Sequence, residues 1–137
     1  QDAALARQHG VDGIIVSNHG GRQLDGAVAP LRVLPAIAEQ VGSGMTVMLD
    51  GGIRRGTDVI KALALGAQAV FVGRPFNYAA VVDGEAGVVA AIDLLRAEVD
   101  RNLAMLGATT CAELGPEHLM DRRALWALNP PAAHPPR

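Results

Sequence analysis

The sequence predicts an α/β fold of parallel strands and, within that class, the C-terminal half of a (β/α)8 barrel. Three observations predict it. Short continuous apolar runs alternate with amphipathic helical stretches, as strands covered on both faces and joined by crossover helices require. Every segment rich in polar, potentially reactive residues follows directly on one of those runs. The last two such segments carry glycine-arginine pairs, the arrangement of a phosphate site after strands seven and eight of such a barrel. A whole barrel takes roughly 250 residues, so 137 residues are expected to form about half of one, with about three strands and a long C-terminal helix.

Taken in order, QDAALARQHG at the start has the pattern of the second half of an alanine-rich helix closed by Gly10, with more chain expected upstream. GIIVS at 13–17, TVMLD at 46–50 and AVFVG at 69–73 are the apolar runs, expected to be strands buried on both faces. Between the first two, PLRVLPAIAEQVG sets Leu31, Leu34, Ile37 and Val41 at helical spacing. Between the second and third, TDVIKALALG is expected to start at a Thr-Asp cap and to stop at Gly66. A long helix is predicted from about Glu85 to Leu106, with Val88, Ile92, Leu95, Val99, Leu103 and Leu106 on one stripe and Arg96, Glu98, Asp100 and Arg101 largely off it. Residues 1–120 are expected to be one structural unit. Residues 121–137, ending in NPPAAHPPR, are expected to be a mobile tail with an exposed His134.

Composition narrows the function. Half of the residues are hydrophobic, the net charge is −2 and the basic residues are scattered, so the chain carries no cationic stripe for nucleic acid. No transmembrane stretch and no signal peptide is visible in this part, and the single cysteine, Cys111, is expected to be a small packed residue in a reducing cytoplasm.

The chemistry is concentrated in three loops. SNHGGRQLDG at 17–26 places His19 and Arg22 in a glycine-flexed turn; a neutral imidazole can take a proton and a guanidinium can grip a carboxylate through two hydrogen bonds. The structural alternative is that His19 caps the loop and Arg22 pairs with Asp25. One histidine without a second ligand at metal spacing disfavours a metal site, and none is assigned. DGGIRRG at 50–56 ends a strand and opens a helix, so free backbone N–H groups are expected to face an anion there. GRP at 73–75 repeats the arrangement one unit later, with Arg74 suited to bidentate phosphate contact. Glycine after a strand can also serve only its turn, and Arg54 or Arg55 can be a solvated surface charge. The two loops at successive strand ends favour a single phosphate cradle.

SNHGGRQLD followed by LDGGIRRGTDVIKALALGAQAVFVGRP closely resembles the FMN-dependent 2-hydroxy-acid oxidases and dehydrogenases, over about Gly10 to Leu106; LGATTCAEL and PEHL also look like that family's C-terminal end, whereas the residues after Met120 carry no motif. The resemblance implies a (β/α)8 barrel with FMN at its mouth. It implies that His19 is the base and Arg22 the clamp on the substrate carboxylate. It also implies that Ser17 touches the flavin, and that Asp50, Gly51, Gly52, Ile53 and Arg54, with Gly73 and Arg74, hold the cofactor phosphate. Arg55 is adjacent and is assigned no contact. His19 would take a proton, from the α-carbon or from the hydroxyl, while the reducing equivalents pass to the flavin and an L-2-hydroxy acid becomes a 2-oxo acid. The expected partners are a small-molecule 2-hydroxy acid and, for the full-length protein, a second copy in a homo-oligomer. The residues that the family draws from its earlier strands have no counterpart here, so this part alone is expected to be inactive. A non-catalytic phosphate-binding or FMN-binding half-barrel, or another FMN-dependent barrel enzyme, remains an alternative.

Overall fold

A computed structural model of the protein describes residues 1–122 and 124. His134 and all but a few residues of the expected tail lie outside the described residues.

The elements alternate as helix α1 (Asp2–Gln8), strand β1 (Gly13–Val16), helix α2 (Pro30–Val41), strand β2 (Thr46–Asp50), helix α3 (Gly56–Ala64), strand β3 (Ala69–Phe71) and helix α4 (Arg74–Leu106). The three strands form one parallel sheet in the order β1-β2-β3, with Val16 opposite Leu49 and Leu49 opposite Val70. Parallel neighbours cannot be joined by a hairpin, and α2 and α3 are the crossovers. Gln68 stitches the sheet below β3: its side-chain oxygen accepts from the Val47 N–H at 2.9 Å, while its own N–H donates to the Val47 carbonyl at 2.8 Å.

The core lies between the sheet and its helices. Leu34 and Val41 of α2 and Leu49 of β2 are fully buried, with Val16, Val47 and Ala62 around them. The expected α2 stripe is the face that packs, since Leu31 and Ile37 also rest on this cluster. Helix α1 closes as anticipated, with the Gly10 N–H on the Arg7 carbonyl, and α3 closes with the Gly66 N–H on Leu63.

Several expectations are corrected. The strands are not buried on both faces: Ile15 is 50% exposed and Phe71 45%, while their neighbours Val16 and Val70 point toward the helices. Apolar residues on both faces therefore mark a strand whose second face is open in this chain. Strand β3 ends at Phe71, two residues early, because Gly73 becomes the N-cap of α4, its carbonyl accepting from the N–H groups of Phe76 and Asn77 at 3.0 and 3.1 Å. Helix α4 therefore starts at Arg74, with Pro75 in the first turn where its missing N–H costs nothing. It breaks at Asp83 and Gly84, where φ is −150° and +53°, and resumes along the predicted 85–106 segment. Of the predicted stripe only Val99 and Leu103 join a core cluster, with Ile60 and Ala108, whereas Ile92 is 39% exposed and Leu106 38%. Cys111 is exposed rather than packed.

Two further corrections concern the start of α3. The helix begins at Gly56 and is capped from inside its first turn: the Asp58 carboxylate accepts from the N–H groups of Arg54 and Arg55, both at 3.1 Å. Glu98 lies on the packed side of α4, its side chain only 12% exposed, accepting from Arg55 Nε and from the Gly56 N–H, both at 2.7 Å. A Cβ at Gly56 would sit 2.5 Å from Glu98 Cβ and 2.7 Å from the Glu98 carbonyl carbon, so α3 and α4 touch backbone to backbone there and only glycine fits.

The hydrogen bonds from the Arg55 side chain and the Gly56 backbone hold the Glu98 carboxyl below the usual glutamate range. A lowered folded value contributes stability that is present above the ordinary glutamate pKa and is lost as the pH falls through the folded one. Thermal melts of wild type and Glu98→Gln are therefore expected to differ most at neutral pH, to begin converging near the unperturbed glutamate value of about 4 and to go on converging as the pH falls through the lowered folded value. A constant difference across that range would contradict the role assigned to Glu98.

Candidate functional site

The parallel sheet brings the C-terminal ends of its three strands to one edge, where the three reactive loops meet. After β1 the chain turns through Ser17 and Asn18 into a tight turn over His19–Gly21, with the Gly21 N–H on the Asn18 carbonyl (3.0 Å) and the Arg22 N–H on the His19 carbonyl (3.3 Å). His19 has φ +54° and is the only non-glycine residue with positive φ among the described residues. A side chain in the left-handed region costs about 1–2 kcal/mol; such conformations persist where surrounding contacts fix them, and they cluster at functional sites.

Two contacts fix this one. Ser17 Oγ accepts the His19 N–H at 3.0 Å and donates to Asp50 Oδ2 at 2.6 Å. Arg74 Nη2 donates to the Gly20 carbonyl at 2.9 Å. Thus β2 contributes Asp50 and the first turn of α4 contributes Arg74 to hold the turn after β1.

The second loop runs through Gly51 (φ +100°) and Gly52 (φ +84°), both of which need the freedom of glycine, then buries the Ile53 side chain in the core at 5% exposure. A ligand can therefore meet Ile53 chiefly through its backbone. The helix terminus expected to offer free amides is largely taken: Arg54 and Arg55 donate to Asp58, and Gly56 to Glu98. What this loop still presents to the cavity is Gly51, Gly52 and the Arg54 guanidinium.

An open cavity of about 810 Å³ gathers His19, Arg22, Asp50, Gly51, Gly52, Ile53, Arg54, Gly73 and Arg74 on one surface. Of the sequence-predicted residues only Ser17 is outside its lining, and it stands behind His19 through the contacts above. No ion pair joins Arg22 to Asp25 among the described residues, so the structural alternative for Arg22 is not realised. Asp25, Pro75 and Asn77 also line the cavity. Asn77 was missed because the first segment of α4 lacks an apolar stripe. Asp58, expected as part of a Thr-Asp cap, does cap α3 from within its first turn, whereas the role of Glu98 was missed because it acts across elements through contacts that no local pattern announces.

Three guanidiniums (Arg22, Arg54, Arg74) and two carboxylates (Asp25, Asp50) line the cavity, and Asp50 already accepts a bond from Ser17. The balance favours an anionic ligand. One Arg74 donor is committed to Gly20, which leaves the guanidinium four of its five N–H groups for an anion.

The comparisons with known proteins point the same way. Residues 1–121 match the family described as FMN-dependent dehydrogenase. The chain is 54% identical over 113 residues to L-lactate oxidase of Nostoc sp., covering 82% of this chain and 30% of the relative. It is 49% identical over 119 residues to pre-mycofactocin synthase of Mycolicibacterium smegmatis, covering 87% and 30%. A soluble mutant of the membrane-associated (S)-mandelate dehydrogenase from Pseudomonas putida superposes with a TM-score of 0.85 at 45% identity, covering 88% of this chain and 34% of that one. The chain thus spans about a third of the length of these relatives, and its fold is the corresponding part of a (β/α)8 barrel. Among the described residues no helix is long and apolar enough to cross a membrane.

If Arg54 and Arg74 form the anion site, inorganic phosphate is expected to raise the melting temperature of the cofactor-free full-length protein, and the double variant Arg54→Ala/Arg74→Ala to lose most of that rise. An equal rise in both proteins would remove these arginines from the site.

Proposed function

Because the chain belongs to the FMN-dependent dehydrogenase family, we propose that it is part of an enzyme that oxidises an L-2-hydroxy acid to the 2-oxo acid. The observation that carries this reading is the gathering of His19 and Arg22 with the two glycine-arginine loops on one cavity. A proton acceptor and a carboxylate fork beside an anion cradle suit a substrate that is an acid, must lose a proton and must lie against a phosphorylated cofactor.

The residues fit FMN. Gly52 and Gly73 have open space where a side chain would stand, and Arg54 and Arg74 offer charged donors beside them, a donor set suited to a phosphate monoester. On this reading Asp50, Gly51, Gly52, Ile53, Arg54, Gly73 and Arg74 hold the phosphate end of the cofactor, and Ser17 lies toward the flavin. FMN, when bound, supplies the acceptor for the two electrons that leave the substrate. Arg22 holds the substrate carboxylate through its planar fork, which fixes the 2-carbon relative to His19. A ring nitrogen of His19 takes the proton, and the left-handed backbone at His19 sets the direction in which the ring enters the cavity.

The likeness to pre-mycofactocin synthase favours a second reading, another FMN-dependent reaction on a different substrate. The His19–Arg22 pair weighs toward the hydroxy acid because a guanidinium fork beside a base is suited to a carboxylate substrate. The single cysteine fits a reducing compartment, and we place the protein in the cytoplasm.

In the full-length holoenzyme His19→Ala is expected to lower kcat by about 10²–10⁴-fold, the loss expected for a general base, with FMN still bound. Turnover within a factor of two of wild type would remove His19 from that role. Arg22→Lys, which replaces the fork by a point charge, is expected to raise KM for the hydroxy acid and lower kcat; steady-state kinetics that match wild type would refute the clamp.

A further inference from the structure

The His19 turn is tied to the phosphate cradle twice, from two different elements. Ser17 links the His19 N–H to the Asp50 carboxylate at the end of β2, and Arg74 at the start of α4 donates to the carbonyl of Gly20, 54 residues away in sequence. A Cβ on Gly20 would come within 2.9 Å of Arg74 Nη2, so the absence of a side chain at position 20 is what lets the guanidinium reach the backbone. Three consecutive residues, His19, Gly20 and Gly21, hold positive φ, and only two bonds inside the turn, those from Gly21 and Arg22, restrain it locally. The turn therefore depends on contacts from outside.

We propose that Arg74 is a positioning residue for His19 in addition to being a phosphate ligand. Through the Gly20 carbonyl its guanidinium holds the 18–22 turn in the conformation that presents His19, while its remaining N–H groups face the anion. One side chain thus links the cradle to the base. The structural half of this proposal stands on the hydrogen bond itself; its catalytic consequence rests on the reading of His19 as the base.

Amide hydrogen exchange on the cofactor-free full-length protein separates the two duties, because no phosphate is present there. Arg74→Ala is expected to speed exchange of the Gly21 and Arg22 amides by about tenfold or more, the size expected from losing one hydrogen bond to a charged group. The Phe76 and Asn77 amides, bonded to Gly73, keep their wild-type rates. Arg54→Ala leaves all four unchanged. Arg74→Met keeps the aliphatic stem and gives the same result as Arg74→Ala. Unchanged exchange at Gly21 and Arg22 in both Arg74 variants, or equal acceleration at Phe76 and Asn77, overturns the proposal.

A second comparison uses the holoenzyme at FMN concentrations that give full flavin occupancy by absorbance. Arg74→Ala is expected to keep a kcat deficit there, whereas a residue serving the phosphate alone returns to wild-type kcat at saturation. Accelerated exchange in a protein that oxidises no 2-hydroxy acid would overturn the proposed function and leave the tether standing.

Discussion

The parallel pairing of β1, β2 and β3 is the constraint from which the site follows. With Val16, Leu49 and Val70 in register, the residues that leave each strand emerge at the same edge, and the Arg74 side chain meets the backbone carbonyl of Gly20, 54 residues away in sequence, within hydrogen-bonding distance. Neither His19 nor Arg74 needs to be placed by its own loop. The sheet brings them together, and Leu34, Val41 and Leu49, fully buried behind it, hold the sheet against its helices.

A second constraint fixes the angle between the helices that follow. Gly56 and Glu98 bring α3 and α4 into backbone contact, and Arg55 closes the junction. The two carboxylates at the head of α3 occupy the amides that a bound anion would otherwise use. On the proposed reading the cradle relies on guanidinium charge and open glycine backbone more than on a helix dipole, and directed hydrogen bonds of that kind suit a ligand that has to be held in one orientation.

Much of this was legible in the sequence. Continuous apolar runs located all three strands, Gly10 and Gly66 marked the ends of two helices, and the spacing of Leu31, Leu34, Ile37 and Val41 gave the packed face of α2. The loops after the strands supplied all ten candidate residues, and nine of them line one cavity. What was missed has physical causes. RPFNYAAVV lacks a stripe because the first segment of α4 leaves Tyr78, Val81 and Val82 exposed, so periodicity had no face to report. An apolar run does not say whether both of its faces find a partner within the same chain. Contacts such as Glu98 to Gly56 join elements whose meeting depends on the completed fold.

On the proposed reading a strained histidine, an arginine fork and a paired arginine cradle serve one reaction, the removal of two protons and two electrons from a 2-hydroxy acid, with His19 taking one of the protons. The most direct test is anaerobic mixing of the full-length FMN-loaded protein with L-lactate, glycolate or L-mandelate while the flavin absorbance is followed. Loss of the oxidised-flavin band with at least one of these acids, and formation of the matching 2-oxo acid in equal amount, is the predicted result. A fully loaded protein whose flavin spectrum stays oxidised with all three would contradict the central claim.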